Sequence, residues 1–473
     1  MITHFGICDA ACQSLWSTFG STLKRYLMSM FNSIFQLRGA VVASALLHLS
    51  AGAANAPACP ANAEQAQLVN FVKGASIRMV ANHGALHRFF DTSPISPSGR
   101  YLALTRFEHE ERSVAPGDRA FIVLVDLKTG AERQLATTRG FELQLGAQLQ
   151  WGSDDRHLFF NDVDVASWTP FTVQLDPRTG RRRRIDGPLF MVSPDGRYLA
   201  GHNLATVRNA QIGYGVTVPD SAAPHRLGLD VPEHGVYVTD VRTGMTRIVA
   251  TPRQIVAGAA LGIEEPDQQE FYVFQTKWNP QGTRLLVSFQ WARPGRARRR
   301  AVITMRPDGS DMRVVVTPDQ WARGGHHMNW TPDGRHVTMN LNVNADPALE
   351  LVSVRDDGKD MTVLFAPGSG HPSTHPQGLP LMITDAYPGE PVTKGNGVVP
   401  IRLINTATRT EELVAEIFVS QTGGEFRVDP HPAWDRSGRY VVINGFVGCT
   451  RNVWLIDLRE QVARAALNLR APR

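Results

Sequence analysis

Apolar and polar residues alternate in short runs along most of the chain, and the runs are punctuated by a turn phrase of the form Trp/Ser-x-Pro-x-Gly-Arg-x-apolar. Seven copies occur: ISPSGRYL (Ile95–Leu102), WGSDDRHL (Trp151–Leu158), VSPDGRYL (Val192–Leu199), WNPQGTRL (Trp278–Leu285), WTPDGRHV (Trp330–Val337), THPQGLPL (Thr374–Leu381) and WDRSGRYV (Trp434–Val441). A tight Pro-x-Gly or Asp-Gly turn followed by period-two alternation predicts a strand–turn–strand unit. After each copy comes an apolar run ending in a polar turn: FIVLVDLKTG, FTVQLDPRTG, VYVTDVRTG, VITMRPDGS, LVSVRDDGK, IRLINTATR and VWLIDLRE. Each unit thus supplies two inner strands, a third and usually a fourth. Seven such units predict an all-β fold, a seven-bladed β-propeller of four-stranded blades. The last run, Val453–Asp457, precedes a helix-like tail, Arg459–Leu469. Ser76–Val80 is therefore expected to supply the missing outer strand and close the ring.

Length and composition change this picture little. With 473 residues, 42% hydrophobic and 20% charged, the chain has a core to bury and no sign of disorder. Residues 57–473 are expected to form the single propeller domain and 1–56 a leader. Within the leader, Arg38 precedes an apolar stretch, Ala40–Leu49, followed by small-residue cleavage sites at Ala51-Gly52-Ala53 or Ala54-Asn55-Ala56. Met28 or Met30 is the more natural start, and the mature protein is expected to be periplasmic or secreted. No segment approaches the ~18 apolar residues of a membrane span. Cys8 and Cys12 fall in the leader, which leaves Cys59 and Cys449 as an even pair, so a disulfide joining the two ends of the ring is expected in an oxidising compartment. A sequence pI of about 9.1, with clusters Arg181–Arg184 and Arg296–Arg300, fits either solvated loops or an anionic partner.

The repeat provides a common register for the central channel. With the Trp or its equivalent as zero, position minus three holds Ser93, Gln148, Phe190, Gln275, His327, His371 and His431. Six of seven are polar, unlike a strand buried on both faces. A regular hairpin places plus ten opposite, where Arg106, Asn161, Asn203, Ser288, Asn340, Thr384 and Asn444 stand. Three consecutive blades place histidine at one level of a confined channel, with Asp429 on the same strand face as His431. Imidazoles with a carboxylate form a ligand set for zinc or manganese. His326 should face away from the channel unless a bulge after Gly324-Gly325 turns it inward, and His375 should lie at the opposite end of its blade. Gln148, Gln275, Lys277 and Asn340 are candidate substrate-binding groups, Arg296–Arg300 further candidate cations, and Tyr387 and Tyr214 candidate acids.

The segments GGHHMNWTPDG, GSGHPSTHPQG and DPHPAWDRSGRY resemble the repeats of oligogalacturonate lyase, a seven-bladed propeller polysaccharide lyase, and more loosely those of ulvan lyases and the Tol-system propeller. The resemblance is confined to Gly324–Asp457. It implies that His327 is the base, joined by His326 and Tyr387 as catalytic candidates, and that His371 and His431 bind a divalent metal. The family has a further histidine and a glutamine just before the last ligand. Here those positions hold Asp429 and Phe426. The implied activity is β-elimination on a uronate-containing, anionic oligo- or polysaccharide by a monomer. The competing class is a non-catalytic propeller binding a protein or a glycan. A propeller-bearing serine peptidase is disfavoured because the chain has no Gly-x-Ser-x-Gly elbow, and nucleic-acid binding because it has no aromatic-basic motif of that kind.

Overall fold

Repeating apolar runs of five to nine residues can hide both faces only by stacking against copies of themselves, and the chain does so. The computed structural model describes residues 69, 70 and 72–470, leaving aside 212, 224–226, 345–347, 396 and 420–423. The leader and the Cys59–Cys449 pairing therefore lie outside the described residues. Those described form seven antiparallel sheets, five of them with all their strands in sequence order from channel to rim. Blade five shows the pattern: Gly325–Trp330, His336–Leu341, Glu350–Arg355 and Thr362–Phe365. Blade seven consists of Ala433–Trp434, Tyr440–Val447 and Thr450–Asp457, and its outer strand is Ser76–Ala81, paired antiparallel with Thr450–Asp457. The ring is closed as the tail predicts, and the tail itself is helical over Arg459–Arg470. Blade six carries a fifth strand, Val69–Asn70. Among the described residues no helix is long and apolar enough to cross a membrane.

The tryptophan of the turn phrase has a structural reason. Trp151, Trp330 and Trp434 each donate their indole N–H to a carbonyl of the preceding blade, at Pro94 (2.9 Å), Lys277 (3.2 Å) and Ser373 (3.1 Å). One large apolar body with one donor packs two sheets and fixes their spacing. At the other end of the channel, asparagines do the same work. Asn161 exchanges two hydrogen bonds with the backbone of Leu189, and the Asn340 amide donates to Ser369 O (3.0 Å) and Gly370 O (2.9 Å). Asn444 accepts from His87 N (2.9 Å) and donates to His87 O (3.2 Å) and Asp429 O (3.3 Å), joining the last blade to the first. All three are fully buried. Asn444→Ala leaves buried backbone groups without partners and is expected to cost about 2–4 kcal/mol, read as a lower urea midpoint.

The register differs from that of a regular hairpin. Pairing shifts between His326 and Asn329 and between Phe274 and Lys277, so Asn340 faces His326 rather than His327, and Ser288 faces Phe274 rather than Gln275. At minus three, Gln148, Gln275, His327 and His431 all have φ between 49° and 62°. A left-handed residue within a bulge re-aims its side chain out of the pleat, which is how these positions come to face the channel. Blade one departs further. Its inner strand, Ala85–Leu86, gives way to His87–Asp91, which crosses the channel before the chain rejoins the blade at the Ile95–Leu102 bridge.

Candidate active site and metal centre

Phe89 and Phe90, both buried, form the floor of the site. Phe89 lies edge-on to His431, His371 and His327, with centroids 4.7, 5.6 and 6.1 Å away. Lys277 is also near these rings, its Nζ 5.0 and 4.8 Å from their centroids. The ammonium is fully buried, 3.1 Å from Asp91 Oδ2, and donates to Met328 O (2.8 Å). Asp91 also pairs with Arg88. Burial pushes Lys277 down to about 8, against the pull of Asp91.

Three of the candidate substrate-binding groups are engaged in internal contacts. Lys277 is committed to Asp91, and Asn340 to the junction of blades five and six. Gln148 accepts from Arg88 Nε (2.7 Å) and donates to Glu142 (2.6 Å). Polar groups collect here because the ring must satisfy its own buried backbone and charges. Gln275 keeps a buried amide oxygen without a hydrogen-bond partner. Arg299, on the third strand of blade four, pairs with Asp319. Ser93 bonds to Ile95 of its own turn, and His375 sits at the turn end, 2.9 Å from Gly438 O.

Glu142 gives a separate test of this interior. Burial raises its carboxyl to about 8, outweighing the N–H groups of Gly215 and Gln148 that donate to it. The folded state therefore holds a proton that the unfolded chain releases near 4.5. The associated stability is full below that value and is lost as pH rises through 8. Melting temperature measured across this window should fall for the wild type and stay flatter for Glu142→Gln.

The histidine row lies above the phenylalanines. His327 Nδ1 is 2.7 Å from Gly370 O, an obligate acceptor, so that nitrogen carries the hydrogen and Nε2 presents its lone pair. Tyr387 OH is 3.1 Å from His327 Nε2 and 3.3 Å from His371 Nε2. The bulge brings His326 into the group, its Nδ1 2.7 Å from His327 Nδ1 and its Nε2 3.3 Å from Glu390. His371 Nδ1 is 3.0 Å from both oxygens of Asp385. Burial, with the neighbouring imidazoles, holds His327 and His431 well below the usual histidine range. Burial, with Asp429 nearby, holds Tyr387 well above the usual phenol range. The row thus sets the neutral imidazole of His327 beside a protonated phenol.

Ligand atoms of His371, Asp429 and His431 all lie within 4.8 Å of one another, and all three residues are buried. Neither ring nitrogen of His431 has a hydrogen bond of normal length; Nε2 is 3.7 Å from Asp429 Oδ2, and the Arg88 backbone is near the ring. A buried, weakly partnered imidazole is costly, and a cation accepting one of its lone pairs would remove part of that cost. Two imidazoles and a carboxylate suit manganese or zinc and leave positions open for substrate or water. Asp429 Oδ2 also accepts from Arg427 Nε (2.9 Å), and the same guanidinium donates to Tyr214 OH (3.0 Å). Tyr214, held by Arg427, is thus set apart from the Tyr387 position between two imidazoles. Phe426 packs, half-buried, against the apolar cluster of blades one and two.

Repeat reasoning missed Asp385, Glu390, Arg427 and the His87–Asp91 segment. The available signals were an acid–phenol–acid loop, DAYPGE, after the second strand of blade six, and an aromatic pair bracketed by charges, HRFFD.

No protein-family model matches the chain, and no curated protein matches it. Solved structures do. Oligogalacturonate lyase from Vibrio parahaemolyticus aligns with a TM-score of 0.57 at 14% identity, covering 84% of this chain and 98% of that one. An oligogalacturonate lyase in complex with manganese aligns at 0.56 and 16%, covering 88% and 100%. A putative TolB from Agrobacterium tumefaciens aligns at 0.39 and 13%, covering 71% and 97%, too loosely to bear on function. The chain therefore has a seven-bladed propeller fold similar to that of oligogalacturonate lyase.

Proposed function

We propose that this protein is an exported, metal-assisted lyase that cleaves a uronate-containing glycan by β-elimination. The observation that carries the reading is the placement of a neutral imidazole and a protonated phenol, 3.1 Å apart, beside the His371, Asp429 and His431 set. Export rests on the apolar Ala40–Leu49 stretch and the small residues after it.

His371, Asp429 and His431 would hold a divalent cation, which would supply neutralisation of the substrate carboxylate and so acidify the adjacent C5–H. His327 Nε2 takes that proton. The C4–O bond breaks as the C4–C5 double bond forms, and the Tyr387 phenol gives its proton to the departing oxygen. His327 then returns its proton to Tyr387 through their hydrogen bond, so the pair is reset with no net change. Arg427, beside Asp429, is placed to attract the anionic substrate.

The test is to incubate purified mature protein with Mn²⁺ or Zn²⁺ and a panel of pectate, oligogalacturonates and ulvan, following absorbance of the unsaturated uronate. No product on any substrate, with metal bound, would reject the lyase reading. A binding role is favoured by one observation, a cavity of about 360 Å³ at the turn end of the channel, lined by Trp151, Trp278, Trp330 and Trp434 and containing none of the row histidines. That role predicts glycan or protein binding unaffected by His327→Gln and His371→Ala.

A further inference from the structure

We propose that Asp385 and Glu390 are positioning residues that divide the imidazole row into a metal half and a proton half. The proposal rests on the metal-assisted reading of the same site. Contacts run without a break from Glu390 through His326, His327, Tyr387 and His371 to Asp385. Both carboxylates and the phenol belong to one six-residue loop, 385–390, so a single element sets both ends of the row and its middle.

Asp385 is fully buried. It accepts from His371 N (2.5 Å) and from His371 Nδ1, and its other oxygen accepts from His431 N (3.2 Å), across the junction of blades six and seven. A carboxylate only accepts, so it assigns the His371 hydrogen to Nδ1 and leaves Nε2 free to ligate. The approach depends on Gly370, where a Cβ would stand 2.2 Å from Asp385 Oδ1.

Glu390 organises the other half. It accepts from Gly370 N (3.1 Å) and Tyr387 N (2.8 Å), holding the glycine whose carbonyl, in the following peptide, receives His327 Nδ1–H, and the turn that carries the phenol. It also accepts from His326 Nε2, which leaves His326 Nδ1 as a lone pair facing His327 Nδ1–H. With His371 Nε2 used as a ligand, the Tyr387 hydroxyl has one acceptor left in the row, His327 Nε2. The base and the acid are then paired with each other through His327 Nε2, while His327 Nδ1–H faces Gly370 O and His326.

The experiment combines ¹⁵N histidine NMR with Mn²⁺ titration by calorimetry, on full-length wild type, Asp385→Asn and Glu390→Gln. In the metal-free wild type, His327 and His371 should both be Nδ1–H tautomers. Asp385→Asn should weaken Mn²⁺ binding by roughly 10–100-fold and shift the His371 tautomer signal. Glu390→Gln should leave Mn²⁺ affinity unchanged, shift the His326 and His327 signals, and lower kcat roughly tenfold or more at constant KM. Asp385→Glu, which keeps the acceptor, should recover the His371 tautomer if the asparagine variant misfolds. A wild-type His371 in the Nε2–H form, a wild type that binds no Mn²⁺, or equal loss of affinity in both variants would overturn the proposal. Tautomers and metal affinity are read without turnover, so failure of the substrate panel alone rejects the lyase reading and leaves this division standing.

Discussion

His327→Gln is expected to lower kcat by about 10²–10⁴-fold with Mn²⁺ affinity and melting temperature close to wild type. The size follows from the one function lost, removal of a carbon-bound proton by a placed base. His327 is the only member of the row that presents a lone pair to Tyr387 while standing outside the His371, Asp429 and His431 set. Glutamine approximates the buried volume, and its amide can still donate to Gly370 O, so the floor formed by Phe89 and Phe90 should stay packed. It has no nitrogen lone pair to receive a proton. Saturating turnover with metal present distinguishes this from a binding defect: unchanged kcat with raised KM would make His327 a binding group, and the elimination scheme would need another base. Tyr387→Phe should give a smaller loss on substrates whose leaving group departs without protonation, since the phenol acts only there.

The ring was legible because each blade repeats the same demand, two sheets packed face to face with a tight turn between their inner strands. Tryptophan recurs at Trp151, Trp330 and Trp434 because at these three spacings between blades one apolar body with one donor packs two sheets. Ser76–Ala81 was legible by subtraction, since the last unit ends in a helix and lacks a strand. His327, His371 and His431 were singled out because they break the repeat at one position. The same signal picked out the polar residues chosen beside them. Lys277, Gln148 and Asn340 also break the apolar pattern, but they serve the interior: an ion pair, a link from Arg88 to Glu142, and a junction between blades. Departure from a repeat marks a special environment and does not distinguish chemistry from repair. Asp385 and Glu390 escaped notice for a different reason. They stand on a loop with no counterpart in other blades, so no register aligns them, and only the folded geometry shows that one loop holds both ends of the row. The bulge at His327 was legible only as an alternative offered by Gly324-Gly325, because a left-handed non-glycine residue leaves no mark in an alternating pattern.

His431→Leu is expected to reverse its effect on stability with metal. His431 is fully buried, held neutral by its surroundings, and has no hydrogen bond of normal length at either ring nitrogen. Without metal, the wild type bears the desolvation cost of that ring, about 1–3 kcal/mol for an unsatisfied buried polar group, and leucine of similar volume does not. In chelator, His431→Leu should therefore melt at or above the wild-type temperature. With Mn²⁺ or Zn²⁺ at about one hundred times its Kd, the wild type gains about 2.7 kcal/mol by mass action. The variant, with one of three donors removed, should lose more affinity than the roughly 10–100-fold typical of an outer-sphere partner and gain almost nothing. The two melting curves should then exchange order between chelator and metal. Asp429→Asn provides the contrast, since Asp429 also receives Arg427 Nε at 2.9 Å and its loss leaves that guanidinium uncompensated. It should weaken metal binding and also destabilise the protein in chelator. A wild type whose melting temperature ignores both metals, together with a leucine variant less stable in every condition, would mean that His431 is held by packing alone and that the three converging side chains are not a metal centre.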